Sequence, residues 1–287
     1  MTGALLSFCL MAVSIRVLAK NLTIFEILAV RAGTGFLVML AAVALRPTLR
    51  LAIRTFRLPL HLFRNGIHLT AQFLWAKSVI LLPLATVFAL EFTAPAWTML
   101  IAVPVLGERL TKSRVGAVVL GLIGVLVILR PGTATFQPAA LLVLAAALLY
   151  AGTFITTKQL TATDSTFAIV FWMNVIQFPI TMLGSDPLFV TKLNLDQLPA
   201  FVALGVSGLL SHFCLANAFR AADASVVVPI DFMRIPLIAL IGWWFYSERI
   251  DVLVFAGAVL IIAGVLWNLR AEAARERTSS KVPEGPN

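Results

Sequence analysis

The chain has 287 residues, of which 60% are hydrophobic and 12% charged, with a mean hydropathy of +0.98 and a formal charge of +9. A soluble domain carries roughly twice that share of charge, so composition excludes a water-soluble enzyme, a nucleic-acid-binding domain and a disordered chain. It implies a multi-span membrane protein.

A helix crossing a bilayer core of about 30 Å needs about 20 apolar residues. Ten such windows follow one another: 2–19, 24–45, 59–81, 84–105, 113–130, 138–157, 166–184, 198–218, 224–246 and 251–269. Continuous rather than alternating apolarity predicts helices, not a barrel. The first window has no basic segment before it, so it reads as a helix and not as a leader. The loop after the second window carries Arg46, Arg50, Arg54 and Arg57 at helical spacing, interleaved with Leu49, Ile53 and Phe56. That pattern predicts a short interfacial helix. The polar segment 271–287 reads as a disordered tail.

Alternate assignment of loops puts 13 basic residues on the side of the N-terminus and five on the other. The expectation is therefore a cell (inner) membrane protein with both termini in the cytoplasm. The charge of +9 is read as this topology signal, and no nucleic-acid partner is expected. Cys9 and Cys214 both lie in apolar runs, which argues against a disulfide or zinc site. No cofactor or metal is expected.

The two halves match at an offset near 140. Leu58-Pro59 corresponds to Leu198-Pro199, Gln72-Phe73-Leu74 to His212-Phe213-Cys214, Ala85-Thr86-Val87 to Ala224-Ser225-Val226, Glu108-Arg109 to Glu248-Arg249, and Gly124-Val125-Leu126 to Gly264-Val265-Leu266. Lys20-Asn21-Leu22 also echoes Lys158-Gln159-Leu160. A five-span repeat has an odd number of crossings, so its second copy is inverted, as in secondary transporters with a midplane site. The predicted fold is an all-α polytopic membrane protein of ten helices in two inverted five-helix repeats, 1–132 and 133–270.

This 5+5 arrangement, with Pro-rich spans 4 and 9 followed by Gly107-Glu108-Arg109 and Ser247-Glu248-Arg249, resembles the EamA-type members of the drug/metabolite transporter superfamily. The resemblance covers all but the tail. It implies that spans 1–4 and 6–9 surround a central cavity, with spans 5 and 10 to one side. It also implies export of small metabolites, aromatic or apolar amino acids among them. Ser247 stands where the family motif has Gly.

Charges inside the spans are costly and face the bundle interior. Arg16, Arg31 and Glu91 are expected to form one cluster, and Asp231 and Arg234 a second in the opposite half of the membrane. Glu91 or Asp231 could carry a proton, and Arg31 or Arg234 could anchor a carboxylate. Because each acid has a cation within reach, gating or ion-pair roles are favoured. Substrate contact is assigned to polar stripes: His68, Gln72 and Trp75 on one face of span 3, Tyr150 in span 6, and Ser211 and His212 in span 8. Helix–helix hydrogen bonding is the competing reading. Pro95, Pro229 and Pro236 are candidate hinges.

No phosphate-binding loop, metalloprotease motif or nucleophile elbow is present, so ATP-driven pumping by this chain and intramembrane catalysis rank behind a carrier. The leading expectation is export of small amphipathic metabolites, apolar or aromatic amino acids first, by alternating access. Multidrug or metabolite efflux by proton antiport is the alternative, and a channel the third reading. The expected partners are a small-molecule substrate and the bilayer, with a monomer favoured over a dimer through glycines of spans 5 and 10.

Overall fold

A computed structural model of the protein describes residues 2–107, 111–133, 136–221, 231 and 233–279, with side chains left undescribed at 212–213, 215–221 and 275–279. The described helices are α1 (Thr2–Leu18), α2 (Ile24–Leu45), α3 (Leu49–Ala52), α4 (Leu58–Leu81), α5 (Leu84–Glu91), α6 (Ala94–Leu106), α7 (Lys112–Leu129), α8 (Ala140–Thr161), α9 (Thr166–Leu183), α10 (Leu198–Ala221), α11 (Arg234–Tyr246) and α12 (Val252–Ser279). They form ten membrane segments: α5 and α6 together make the fourth, and α11 is the described part of the ninth. Six are long and apolar enough to cross a bilayer, and Thr2–Leu18, Leu195–Ser211 and Arg234–Tyr246 are shorter apolar helices. Helix α4 has 24 residues, a length of about 36 Å, but it carries the polar stripe of span 3.

Local chemistry sets the boundaries. Thr23 caps α2 in a capping box, its hydroxyl accepting from Glu26 N–H at 3.3 Å while the Glu26 carboxylate accepts from Thr23 N–H at 2.7 Å. Ser165, its counterpart in the second repeat, caps α9 by accepting from Ala168 N–H at 3.0 Å. Both satisfy helix N-termini that hydrocarbon would leave bare. Pro83 separates α4 from α5, because the residue before a proline avoids the helical region. The fourth segment breaks again at Phe92-Thr93, and Pro95 lies in the first turn of α6. Pro236 takes the corresponding place near the start of α11. The arginine-rich loop contains the one-turn helix α3, with Leu51 and Phe56 exposed beside Arg50 and Arg54.

Packing repeats the inverted symmetry. Helix α1 packs on α10 and α4 on α8, so span 1 meets span 8 as span 3 meets span 6. Spans also meet their own counterparts, α2 with α9, α5 with α11 and α7 with α12, while α6 packs on α8 and α2 on α10. Helices α7 and α12 are drawn together by small residues. A Cβ on Gly124 would lie 2.6 Å from the Gly257 carbonyl oxygen, and one on Gly264 would lie 2.9 Å from that of Ala117. Gly116, Gly124, Gly257 and Gly264 thus serve packing of spans 5 and 10 within the chain.

The two repeats end their fourth spans in the same left-handed turn. Gly107 closes α6 at φ +68° and Ser247 closes α11 at φ +53°. A residue with a Cβ pays a steric penalty there of about 1 kcal/mol. Ser247→Gly is expected to raise the thermal unfolding midpoint in detergent, corresponding to about 1 kcal/mol. An unchanged or lower midpoint would show that the serine side chain compensates the strain.

Candidate substrate cavity

A cavity of about 550 Å³ lies between α2, α9 and α10, with Gln72 of α4 at its side. Its polar wall holds Arg31, Thr34, Gln72, Asn174 and Gln177, and its apolar wall holds Val38, Met39, Phe167, Val170, Met173 and Leu209. The lining runs from Arg31 and Gln177 in the middle of their helices to Met39 and Thr166 near the face of the arginine-rich loop, called here the basic face. Size and composition match small-molecule sites, which are mainly apolar with a few orienting polar groups. Helix α10 comes close to α2 because it presents glycines. A Cβ on Gly208 would lie 3.0 Å from Arg31 Cγ, so the arginine stem lies directly against the α10 backbone.

Beneath this wall, amides and imidazoles satisfy one another. Gln72 Nε2 and Gln177 Nε2 each lie 2.9 Å from His68 Nδ1, and Gln177 also donates to Asn65 Oδ1 at 3.3 Å. Asn65 Oδ1 accepts from Arg64 at 3.0 Å, and Asn65 donates to the His61 carbonyl at 2.8 Å. His61 is fully buried, and its Nε2 lies 2.7 Å from Asp164 Oδ2. Apart from His61 Nδ1, which is buried without a partner among the described residues, the network meets the requirement that a polar group in hydrocarbon find a partner.

The intramembrane charges are arranged differently from the sequence expectation. Glu91 does not join Arg31 and Arg16. It accepts from Trp75 Nε1 at 2.8 Å and faces Arg234 at 3.8 Å, while Arg234 also binds Asp231 at 2.7 Å. Glu91 thus joins the second expected pair, Asp231 and Arg234, linking the break of span 4 to the start of α11, while Arg16 and Arg31 lie elsewhere. Phe8 and Phe92 cover the guanidinium of Arg234 at 4.4 and 4.8 Å from their ring centroids, a favourable arrangement for a desolvated cation. Arg16 instead pairs with Glu248 and donates to the carbonyls of Val79 and Leu82, and Glu248 accepts from Leu84 N–H at 2.9 Å. This clasp joins the end of span 1 to the loops after spans 3 and 9, on the face opposite the basic one. Lys192 with Glu26 at 2.6 Å, and Asn21 with Gln197 at 2.9 Å, fasten the same face.

Of the other substrate candidates, Gln72 lines the cavity and His68 supports it from behind, with the Tyr150 ring edge-on at 5.9 Å. Trp75 serves Glu91 rather than the cavity. Ser211 is buried and bonds back to the Gly208 carbonyl of its own helix at 3.2 Å. His212 and Pro229 fall outside the described side chains and residues. Pro95 and Pro236 sit at helix starts beside the Glu91–Arg234 cluster. Sequence reading missed Asn174 and Gln177, although two amides three residues apart in an apolar helix share one face.

Burial would raise the carboxyl of Asp164, but hydrogen bonds from Thr55, His61 and Thr163 outweigh it and hold the group below the usual carboxylate range. In the same way, burial of Asp251 is outweighed by its bonds to Arg130 and to the backbone N–H of Leu253. A depressed folded-state pKa contributes stability that is complete at neutral pH and lost as pH falls through the depressed value. Asp251→Asn is expected to flatten the acid limb of unfolding midpoint against pH, and an unaltered limb would assign it to other groups. For the clasp, Glu248→Gln removes the charge partner of Arg16. In a Cys214→Ser background it is expected to speed alkylation of the buried Cys9 several-fold, whereas an unchanged rate would mean that the clasp does not hold this face closed.

The model of the EamA-like transporter family matches residues 1–130 and 137–270. A riboflavin transporter of Brucella anthropi is 28% identical over 233 residues, covering 79% of this chain and 82% of that protein. An S-adenosylmethionine uptake transporter of Rickettsia prowazekii is 26% identical over 230 residues, covering 80% and 77%. A pseudopaline exporter of Pseudomonas aeruginosa is 30% identical over 188 residues, covering 64% and 66%. With both five-helix halves matched, this chain belongs to the EamA-like transporter family and is a ten-helix membrane protein of the drug/metabolite transporter superfamily.

Proposed function

We propose that the protein is a secondary carrier that moves small amphipathic metabolites out of the cytoplasm by alternating access, with aromatic or apolar amino acids as the leading substrates. The carrying observation is a cavity whose lining extends toward the basic face while the Arg16–Glu248 clasp spans the opposite face. A cavity that reaches toward one face with a fastening across the other fits one half-cycle of alternating access. The excess of Lys and Arg in the loops of the basic face supports its cytoplasmic placement and that of both termini in an inner membrane. A resting carrier that opens there collects solute from the cytoplasm, which favours export.

Arg31 is placed to bind a carboxylate, with Gln72, Asn174 and Gln177 to orient the polar end, while Met173, Phe167 and Val170 receive an apolar side chain. Domain boundaries near 132 and 270 and a monomeric carrier complete this reading, since the glycine faces of spans 5 and 10 are occupied within the chain. A second reading follows from the cavity volume of about 550 Å³, which also suits a larger heteroaromatic solute, and from relatives named for riboflavin and S-adenosylmethionine. Under that reading the cycle runs as uptake.

Counterflow in proteoliposomes with labelled phenylalanine, leucine, riboflavin and S-adenosylmethionine separates the two. Trans-stimulated uptake of the amino acids is expected. Arg31→Gln should raise KM about 10-fold or more, because a hydrogen bond to a charged group contributes about 1.5–3 kcal/mol. Counterflow of riboflavin alone would transfer the assignment to the second reading, and unsaturable flux of every solute would indicate a channel.

A further inference from the structure

The loop from Arg46 to Arg57, between α2 and α4, has two sides of different chemistry. Its inner side is fastened to the second repeat. The Ala52 carbonyl accepts from the Ser165 hydroxyl at 2.9 Å, and the Ile53 carbonyl from Trp172 Nε1 at 2.9 Å. Arg57 donates to the Gln159 carbonyl at 2.7 Å, and the Thr55 hydroxyl bonds to the Asp164 carboxylate. Ser165 serves twice, because the hydroxyl that donates to Ala52 also caps α9 by accepting from Ala168 N–H at 3.0 Å. All four partners lie between the last turn of α8 and Trp172 of α9. Thr166, Phe167 and Val170, in the same stretch of α9, line the cavity. The position of the loop is therefore tied to the position of one cavity wall.

The outer side is basic and apolar at once. Arg46, Arg50 and Arg54 are exposed and form no ion pair among the described residues. The acids described on this face are engaged elsewhere, Asp164 with His61 at 2.7 Å and Glu272 with Arg114 at 2.9 Å. Between the arginines stand exposed apolar side chains, Leu51 and a fully exposed Phe56, with Leu45 exposed where α2 ends. Because the loop joins the ends of two membrane segments, it lies where hydrocarbon gives way to headgroups. A polyanion in water would neutralise the arginines and leave Phe56 and Leu51 wet. An anionic bilayer surface satisfies both, since phosphate groups lie directly above an apolar layer.

We propose that this loop is a docking site for anionic phospholipids of the basic-face leaflet, and that bound headgroups hold the loop, and through it the start of α9, in place. The guanidinium groups of Arg46, Arg50 and Arg54 take phosphate oxygens, for which their planar donor geometry is suited. Phe56 and Leu51 enter the boundary between headgroups and acyl chains. The four bonds on the inner side then pass the restraint to the first turns of α9. Lipid charge thereby sets how freely the cavity wall formed by Thr166, Phe167 and Val170 moves. The site and its test stand on the loop alone, whatever solute the cavity receives.

The test is hydrogen exchange of the full-length protein in nanodiscs of phosphatidylcholine alone or with about 30% phosphatidylglycerol, which gives the surface a negative potential. Amides of residues 46–57 and of the first turn of α9 are expected to exchange several-fold more slowly in the anionic discs. Each arginine near such a surface strengthens binding about fivefold. Replacing two together, Arg50→Gln with Arg54→Gln, is therefore expected to abolish the difference between the discs, whereas Arg50→Lys with Arg54→Lys keeps most of it. Salt at about 1 M, where the screening length is about 3 Å, is expected to weaken the wild-type protection. Equal exchange in the two discs, or protection that survives in the glutamine pair, would overturn the proposal. Protection of the loop without any slowing in α9 would overturn its second half, the restraint on the cavity wall. Protection by a short RNA in phosphatidylcholine discs, with none from phosphatidylglycerol, would overturn it in favour of a nucleic acid. If the glutamine pair does not fold, the comparison of the two discs with the wild-type chain still decides.

Discussion

Hydrocarbon offers no hydrogen bonds, and this single constraint sorts every polar residue in the spans. A buried imidazole, amide or guanidinium must be satisfied by another part of the chain or face an aqueous cavity. The protein meets the demand in three places: the Glu91–Arg234–Asp231 cluster between spans 4 and 9, the amide and imidazole ladder from Asp164 to Gln72, and the clasp of Arg16 with Glu248. Each ties one repeat to the other. The polar groups therefore double as the connections through which the halves sense each other, and the apolar remainder provides the lipid-facing exterior and the close helix packing.

The cluster between spans 4 and 9 shows how backbone and charge cooperate. Helix α5 ends at Glu91, and α11 begins at Arg234. Breaks of this kind free backbone groups and need neighbouring chain to satisfy them, which hydrocarbon cannot do. Pro95 and Pro236 follow each break within three residues, removing donors where the first turn of a helix has no acceptor for them. The ion pair thus joins the break of span 4 to the first residue of α11, and aromatic rings from α1 and that break enclose its cation.

Much of this was legible in the sequence, and what was not has a definable cause. Apolar length gave the span positions, because the bilayer fixes a helix length, and the offset matches gave the inverted repeat. Helical periodicity placed His68 and Gln72 on one face, as found. Periodicity specifies a face but not the neighbour opposite it. Glu91 was therefore assigned to Arg31 by depth alone, whereas Arg234 reaches it from a helix that depth placed in the other half of the membrane. Glu248 was read as part of a terminal motif and missed as the partner of Arg16, 232 residues away. Asn174 and Gln177 were passed over because one apolar helix with two amides resembles any other until its neighbour, His68, is known.

The symmetry of the repeats has a thermodynamic consequence. If both halves were identical, the conformation open to one side would be the mirror of the conformation open to the other, and the two would be equally populated. Arg16 breaks that degeneracy, because the residue at the matching offset of 138 in the second repeat is Phe154, which cannot bind a carboxylate. The face with the arginine therefore has an ion pair to Glu248 for which the matching position of the other repeat, a phenylalanine, offers no cation. Each 1.4 kcal/mol of such a difference shifts the populations tenfold. One side chain without a counterpart thus turns a two-fold scaffold into a device with a preferred resting side, and it leaves that preference adjustable by a single substitution.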